Sequence, residues 1–178
     1  MKNYLTQFKP FLIFICTFFA AYIGLTLLYK FYLNSFGPND VDGITVTVGK
    51  NVEQLMQMFN CDIKVHKNRV DSWLEVWYNG KYYVRIVEGC NAVSVIVLFV
   101  SFVLAFSGKF KTTLSFILSG VLLIYILNVV RIALLIVLLF NFPEYKHFLH
   151  GTLFPLIIYG LVFLLWIFWV NKFSKYAK

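Results

Sequence analysis

TLSFILSGVLLIYILNVVRIALLIVLLF, residues 113–140, is an apolar run interrupted by one charge, Arg131. It exceeds the roughly 17 to 25 apolar residues that cross a hydrocarbon core of about 30 Å, so lipid is the expected solvent of this helix. Working outward, three further windows have the required length and polarity: 10–29, 91–106 and 153–170. The whole chain agrees. Its 178 residues are 60% hydrophobic and 20% aromatic, more apolar surface than the interior of a soluble domain of this size can hold.

The formal charge of +8 does not mark a nucleic-acid partner, because its placement explains it. Lys2, Lys9, Lys109, Lys111, Lys172, Lys175 and Lys178 flank the windows on what would be one side, as the positive-inside rule demands. Both termini are then cytoplasmic, and residues 31–89 and the short loop 141–152 are extracytoplasmic. The first window follows Lys2 and Lys9, runs longer than a signal-peptide core and is followed by no small-x-small cleavage pattern, so it reads as a retained signal anchor. The expected fold is an all-α polytopic membrane protein with about four transmembrane helices and a small α+β extracytoplasmic insertion between the first two. Its parts are a cytoplasmic N-terminus and anchor (1–30), the insertion (31–89) and a three-helix membrane region with a cytoplasmic C-terminus (90–178).

Within the insertion, Gly37-Pro38-Asn39-Asp40 predicts a turn, and the alternation from Ile44 to Val48 predicts a strand. Val52, Leu55, Met56 and Phe59 recur at helical spacing, and residues 62–66 predict a second strand. Asn79-Gly80 between two β-prone runs, 74–78 and 81–87, predicts a hairpin with a type I′ turn, since both central residues take positive φ. The hairpin's second strand leads to Glu88, Gly89 and Cys90. Its edge could accept an extended peptide, and it could equally be a cap on the bundle.

Three reactive residue types then fall at the outer ends of the windows. Cys90 opens the second, where free N–H groups of a first helical turn would favour a thiolate. Arg131 lies about 27 Å up from Thr113, near the outer interface, with Asn128 on the same helical face. His150 precedes the fourth window and His147 stands one turn earlier; either imidazole is a candidate proton carrier. A thiol nucleophile, a guanidinium for an oxyanion and an imidazole for the proton together suit covalent acyl chemistry. Glu88 is a candidate orienting group, or an ion-pair partner for Arg131. Cys16 lies inside the first window and reads as a small buried hydrophobe. Three cysteines form no disulfide framework, and no Cys/His spacing suggests a metal or another cofactor.

Glu88-Gly89-Cys90-Asn91-Ala92, Asn128-Val129-Val130-Arg131-Ile132, and His150 followed by Pro155 resemble, in order and placement, the three motif regions of the exosortase/archaeosortase family. The likeness is closest to its short F-type exosortases and covers about residues 87–159. The resemblance implies a membrane-embedded cysteine transpeptidase or peptidase that cuts a C-terminal sorting tail from an exported protein and passes the protein to an acceptor. It implies Cys90 as nucleophile, Arg131 as transition-state stabiliser and His150 as general acid/base, without a cofactor. One departure is local: the family's main branch has Ser or Ala and then Gly after the cysteine, where this chain has Asn91 and Ala92. Many relatives are also longer. Two other classes also fit these residues. One is a four-helix thiol oxidoreductase using Cys61 and Cys90; the other is a non-enzymatic scaffold whose polar residues join helices.

Overall fold

The computed structural model describes residues 2–106 and 108–173, with side chains from residue 8 onward. The side chain of Lys2, and all of Lys175 and Lys178, lie outside the described residues. The chain is a helical membrane protein with a small sheet. Its elements run α1 (Lys2–Leu33), α2 (Gly43–Met58), β1 (Ile63–Lys67), β2 (Leu74–Tyr78), β3 (Lys81–Ile86), α3 (Val93–Ala105), α4 (Phe110–Asn141), a one-turn α5 (Lys146–Phe148) and α6 (Phe154–Lys172).

Among the described residues, three stretches are long and apolar enough to cross a membrane: Phe8–Leu33, Phe110–Asn141 and Pro143–Lys172. The fourth expected span is shorter as a helix. α3 has 13 residues, about 20 Å at the α-helical rise, because Glu88–Cys90 form a separate 3₁₀ turn and Ala92 breaks the helix with φ 65°. α1 leaves Phe11, Ile13, Phe19, Ile23 and Leu27 more than half exposed, as a surface facing lipid would be.

Aromatic contacts tie one end of the bundle together. Phe14 of α1 meets Phe102 and Phe106 at centroid distances of 5.9 and 4.4 Å, and Phe102 stacks on Trp166 of α6 at 4.2 Å. Phe116 of α4 stacks on Trp169 at 4.7 Å, and Trp169 Nε1 donates to the Phe106 carbonyl at 3.0 Å. α4 approaches α3 at Gly120, where a Cβ would stand 2.3 Å from the Phe99 ring. Only the missing side chain permits this contact.

The strand expected over 44–48 is corrected to the first turns of α2. Asp42 caps them, accepting from the N–H groups of Ile44 and Thr45 at 3.0 and 2.9 Å. Burial of Thr45, Val48, Gly49, Val52 and Met56 then follows the helical period. The cap and this amphipathic face outweigh the β preference of five consecutive β-branched residues. The helical spacing after residue 52 holds through Met56, with Phe59 as the C-cap. The expected strand at 62–66 is β1, and the hairpin is β2–β3, with Asn79 at φ 50° and Gly80 at φ 73°.

The sheet is antiparallel in the order β1-β2-β3, with a bulge opposite Val76/Trp77. α2 covers one face, and the second half of α4 completes the same core: Val129, Ile132, Ala133 and Ile136 pack with Val48, Val52 and Val76. This explains the excess length of the apolar run 113–140. At 32 residues α4 reaches about 48 Å, and its final turns pack on β3, where the Tyr83 hydroxyl donates to the Leu139 carbonyl.

Candidate active site

Cys90 ends the 3₁₀ turn rather than opening α3, which corrects the first-turn position expected for it. Its N–H donates to the Val87 carbonyl at 2.8 Å, and the Asn91 N–H donates to Glu88 at 3.1 Å. The free N–H groups of α3 begin three residues later, and there Asn91 Oδ1 accepts from Val93 at 3.0 Å. The turn forms because the strand exit at Val87 is extended and Ala92, in the left-handed region, reverses the chain into the helix.

Two neighbouring residues fix this turn to three helices. Asn128 of α4 is fully buried and donates through Nδ2 to the Cys90 carbonyl at 2.8 Å. Asn91 is 2% exposed and donates to the Tyr29 hydroxyl of α1 at 2.8 Å and to Thr45 of α2 at 3.1 Å. Buried amides are costly unless paired, so each of these contacts constrains where the thiol can stand.

Arg131 lies one turn beyond Asn128, and its guanidinium donates to Asn128 Oδ1 at 3.5 Å. Asn128 thus spans the Cys90 main chain and the Arg131 side chain. The Nε of Arg131 is buried without a hydrogen-bond partner. A buried donor left unused is unfavourable by itself, and the site improves when an acceptor arrives.

His150 sits in a π-type turn, Leu149–Leu153, that runs into α6. The Phe154 N–H donates back to Leu149, five residues earlier, and Pro155 has no N–H to continue an α-helical ladder through Gly151. Such turns change which face a side chain occupies, and His150 faces the thiol's surroundings while His147 does not.

Two adjoining cavities record this convergence. One, about 500 Å³, lies between β3 and the second half of α4; the other, about 330 Å³, lies between α3 and α6. Cys90, Arg131 and His150 line both, and Val87 is the fourth residue they share. His147 lines neither. Among the described residues, no carboxylate lines either cavity.

Glu88 is the candidate the structure sends elsewhere. It lines a separate small cavity with Asp40, Asp42 and Ser72, on the side of Tyr29, and it forms no ion pair with Arg131. The chain reverses direction within the 3₁₀ turn, so Glu88 and Cys90, two residues apart, open onto different surroundings. Asn91, Tyr29 and Thr45 were not read from sequence as site-forming; the one visible signal was the amide standing where the family pattern has a small residue. Cys61 lies beyond the Ile63–Tyr78 pair at one end of the sheet, while Cys90 follows the Leu74–Ile86 pair at the other. Four residue steps of strand, about 13 Å, separate those ends, too far for a disulfide. All three cysteines are free, and Cys16, expected inside the helix packing, is exposed on α1.

Compared with protein families, residues 8–170 match the one described as transmembrane exosortase. Neither the curated proteins nor the solved structures give a match. The family match covers α3, α4 and nearly all of α6 together with Cys90, Arg131 and His150, and the chain belongs to the transmembrane exosortase family.

Proposed function

We propose that this chain is a cysteine transpeptidase or peptidase of the short F-type, integral to the cytoplasmic membrane, which severs the C-terminal sorting tail of an exported protein. The observation that carries this reading is the shared lining of two cavities by Cys90, Arg131 and His150. In the proposed topology both termini are cytoplasmic, α3 and its flanking turns complete a fourth crossing, and residues 31–89 with the site face outward. Family membership supports a membrane transpeptidase or protease acting on exported proteins.

In the first half-reaction, the Cys90 thiol passes its proton to His150 and its sulfur bonds to the scissile carbonyl carbon while Arg131 stabilises the oxyanion. The C–N bond then breaks, and His150 supplies the proton to the leaving amine. In the second, an acceptor amine or water loses a proton to His150, bonds to the thioester carbon and releases the Cys90 thiolate. Asn128 acts as a positioning residue through its bonds to Cys90 and Arg131. Glu88 and His147 serve the surrounding structure.

The test compares exported proteins in membranes of cells carrying the wild type or Cys90→Ser, by mass spectrometry of their C-terminal peptides. At least one protein should keep its apolar tail in Cys90→Ser cells, with the variant present at normal abundance. Unchanged processing of every exported protein would overturn the reading in favour of a scaffold.

A further inference from the structure

β3 is an edge strand, and its free edge borders the larger of the two cavities. The register shows which backbone groups that edge offers. Asn79 donates to Asp62 and Asn68 donates to Trp73, so odd-numbered β2 residues bond to β1 and even-numbered ones to β3. Leu74–Ile86 and Val76–Val84 are therefore the bonded pairs on the β3 side. By the same alternation, Arg85 turns its N–H and carbonyl outward, and the N–H of Val87 follows it. The Val87 carbonyl is taken by Cys90.

The wall from Tyr82 to Val87 lines the cavity opposite α4, and its end at Val87 is where the second cavity begins. The cationic side chains on this groove are Arg85, Arg131 and Lys146, with His150 beside them and no carboxylate among the described residues. An open strand edge with cationic surroundings, leading to a thiol, suits an extended neutral or acidic peptide.

We infer that the substrate segment just before the scissile bond adds to the sheet as a fourth strand on the free edge of β3, running parallel to it. The inference rests on the proposed function, and it assigns the recognition element of that same site. The direction follows from the order of the cavities. A chain that passes along Tyr82, then Val87, then Cys90 travels with β3, and its apolar tail continues into the space between α3 and α6 beside Ile158 and Tyr159. Backbone pairing holds the scissile carbonyl at Cys90 irrespective of most side chains, so one such enzyme could process several proteins that share a tail but differ in sequence before it.

The probe is the host protein whose tail stays uncut in Cys90→Ser cells; if every protein is still cut there, the functional reading itself fails. Arg85→Pro removes the outward N–H without touching the β2–β3 ladder, since proline is tolerated where an edge N–H faces away from its sheet. Processing in Arg85→Pro should fall about two- to tenfold below that in Arg85→Ala, the loss of one well-formed hydrogen bond. Equal processing in the two variants, with loss in Cys90→Ser, would overturn strand addition and leave the enzyme reading standing. Photoreactive benzoylphenylalanine placed singly at Tyr82, Val87 and Lys64 in the Cys90→Ser chain decides the matter independently if Arg85→Pro does not accumulate. Positions 82 and 87 should cross-link to the segment upstream of the cut, with 82 reaching residues about five further upstream. Lys64, on the far edge, should not. Reverse order, equal capture from Lys64, or capture of only the tail or only lipid would each overturn the inference.

Discussion

The two halves of α4 have the same apolar character in sequence and do different work. From Phe116 to Ile124 the helix is held by rings and by a glycine: Phe116 on Trp169, Gly120 under Phe99. From Asn128 onward it contributes a buried amide and a guanidinium to the site, and four aliphatic residues to the core under the sheet. The first half secures the bundle, and in the proposed function the second half aims the chemistry. A long apolar helix can therefore present a polar pair one turn apart where a sheet and a second helix pack on that turn.

The difference is broken most strongly at Arg131. Arg131→Ala should lower processing by roughly 10²–10³, the usual loss on removing an oxyanion donor, while leaving the abundance of the chain near normal. Processing of the retained-tail protein, normalised to enzyme by immunoblot, measures it. Arg131→Lys keeps the charge and loses the planar fork, and should recover only part of the activity.

Asn128→Ala should cost about 1–3 kcal/mol, because it leaves the Cys90 carbonyl unbonded in a buried place. A merely structural role would lower abundance alone. A positioning role should also change the alkylation rate of Cys90 by an impermeant thiol reagent in sealed membranes, and that rate is the decisive readout.

Substitution in the first half should act on stability alone. Gly120→Ala places a methyl group against the Phe99 ring, and a destabilisation of about 1–3 kcal/mol is expected from overpacking. Denaturation in detergent measures it, and the Cys90 alkylation rate of the folded fraction should be unchanged. If that rate changed as it does in Asn128→Ala, the division of labour along α4 would be wrong.

The smallest effect is expected at Ala92. Its φ of 65° is left-handed, and an alanine there costs about 1 kcal/mol relative to a residue without Cβ. Ala92→Gly should raise stability by up to that amount. This also gives a physical sense to the departure from the family pattern: where the main branch has glycine, this chain keeps the turn and accepts the strain.

Much of this was legible in sequence. Hydrophobic length located α1, α4 and α6, and Asn79-Gly80 located the hairpin within a residue, because both signals are local. The failures occurred where a single capping or turn residue overrides the pattern around it. Asp42 turns a β-branched run into α2, and Ala92 shortens the second window to 13 residues. At the site, the order Cys90, Arg131, His150 was visible, and so was the Asn128 face. The opposite exposure of Glu88 was not, since it depends on one 3₁₀ turn. Nor were the bonds from Asn91 to Tyr29 and Thr45, which join residues 62 and 46 positions apart.

Hydroxylamine reports on the acyl intermediate proposed on Cys90, because it competes with the natural acceptor for a thioester and leaves a hydroxamate on the carbonyl it captures. In wild-type membranes given hydroxylamine, the cut protein should end in a C-terminal hydroxamate by mass spectrometry, and Cys90→Ser membranes should yield neither cut protein nor hydroxamate. Cleavage that continues in Cys90→Ser, or that never yields hydroxamate in the wild type, would contradict an acyl intermediate on Cys90.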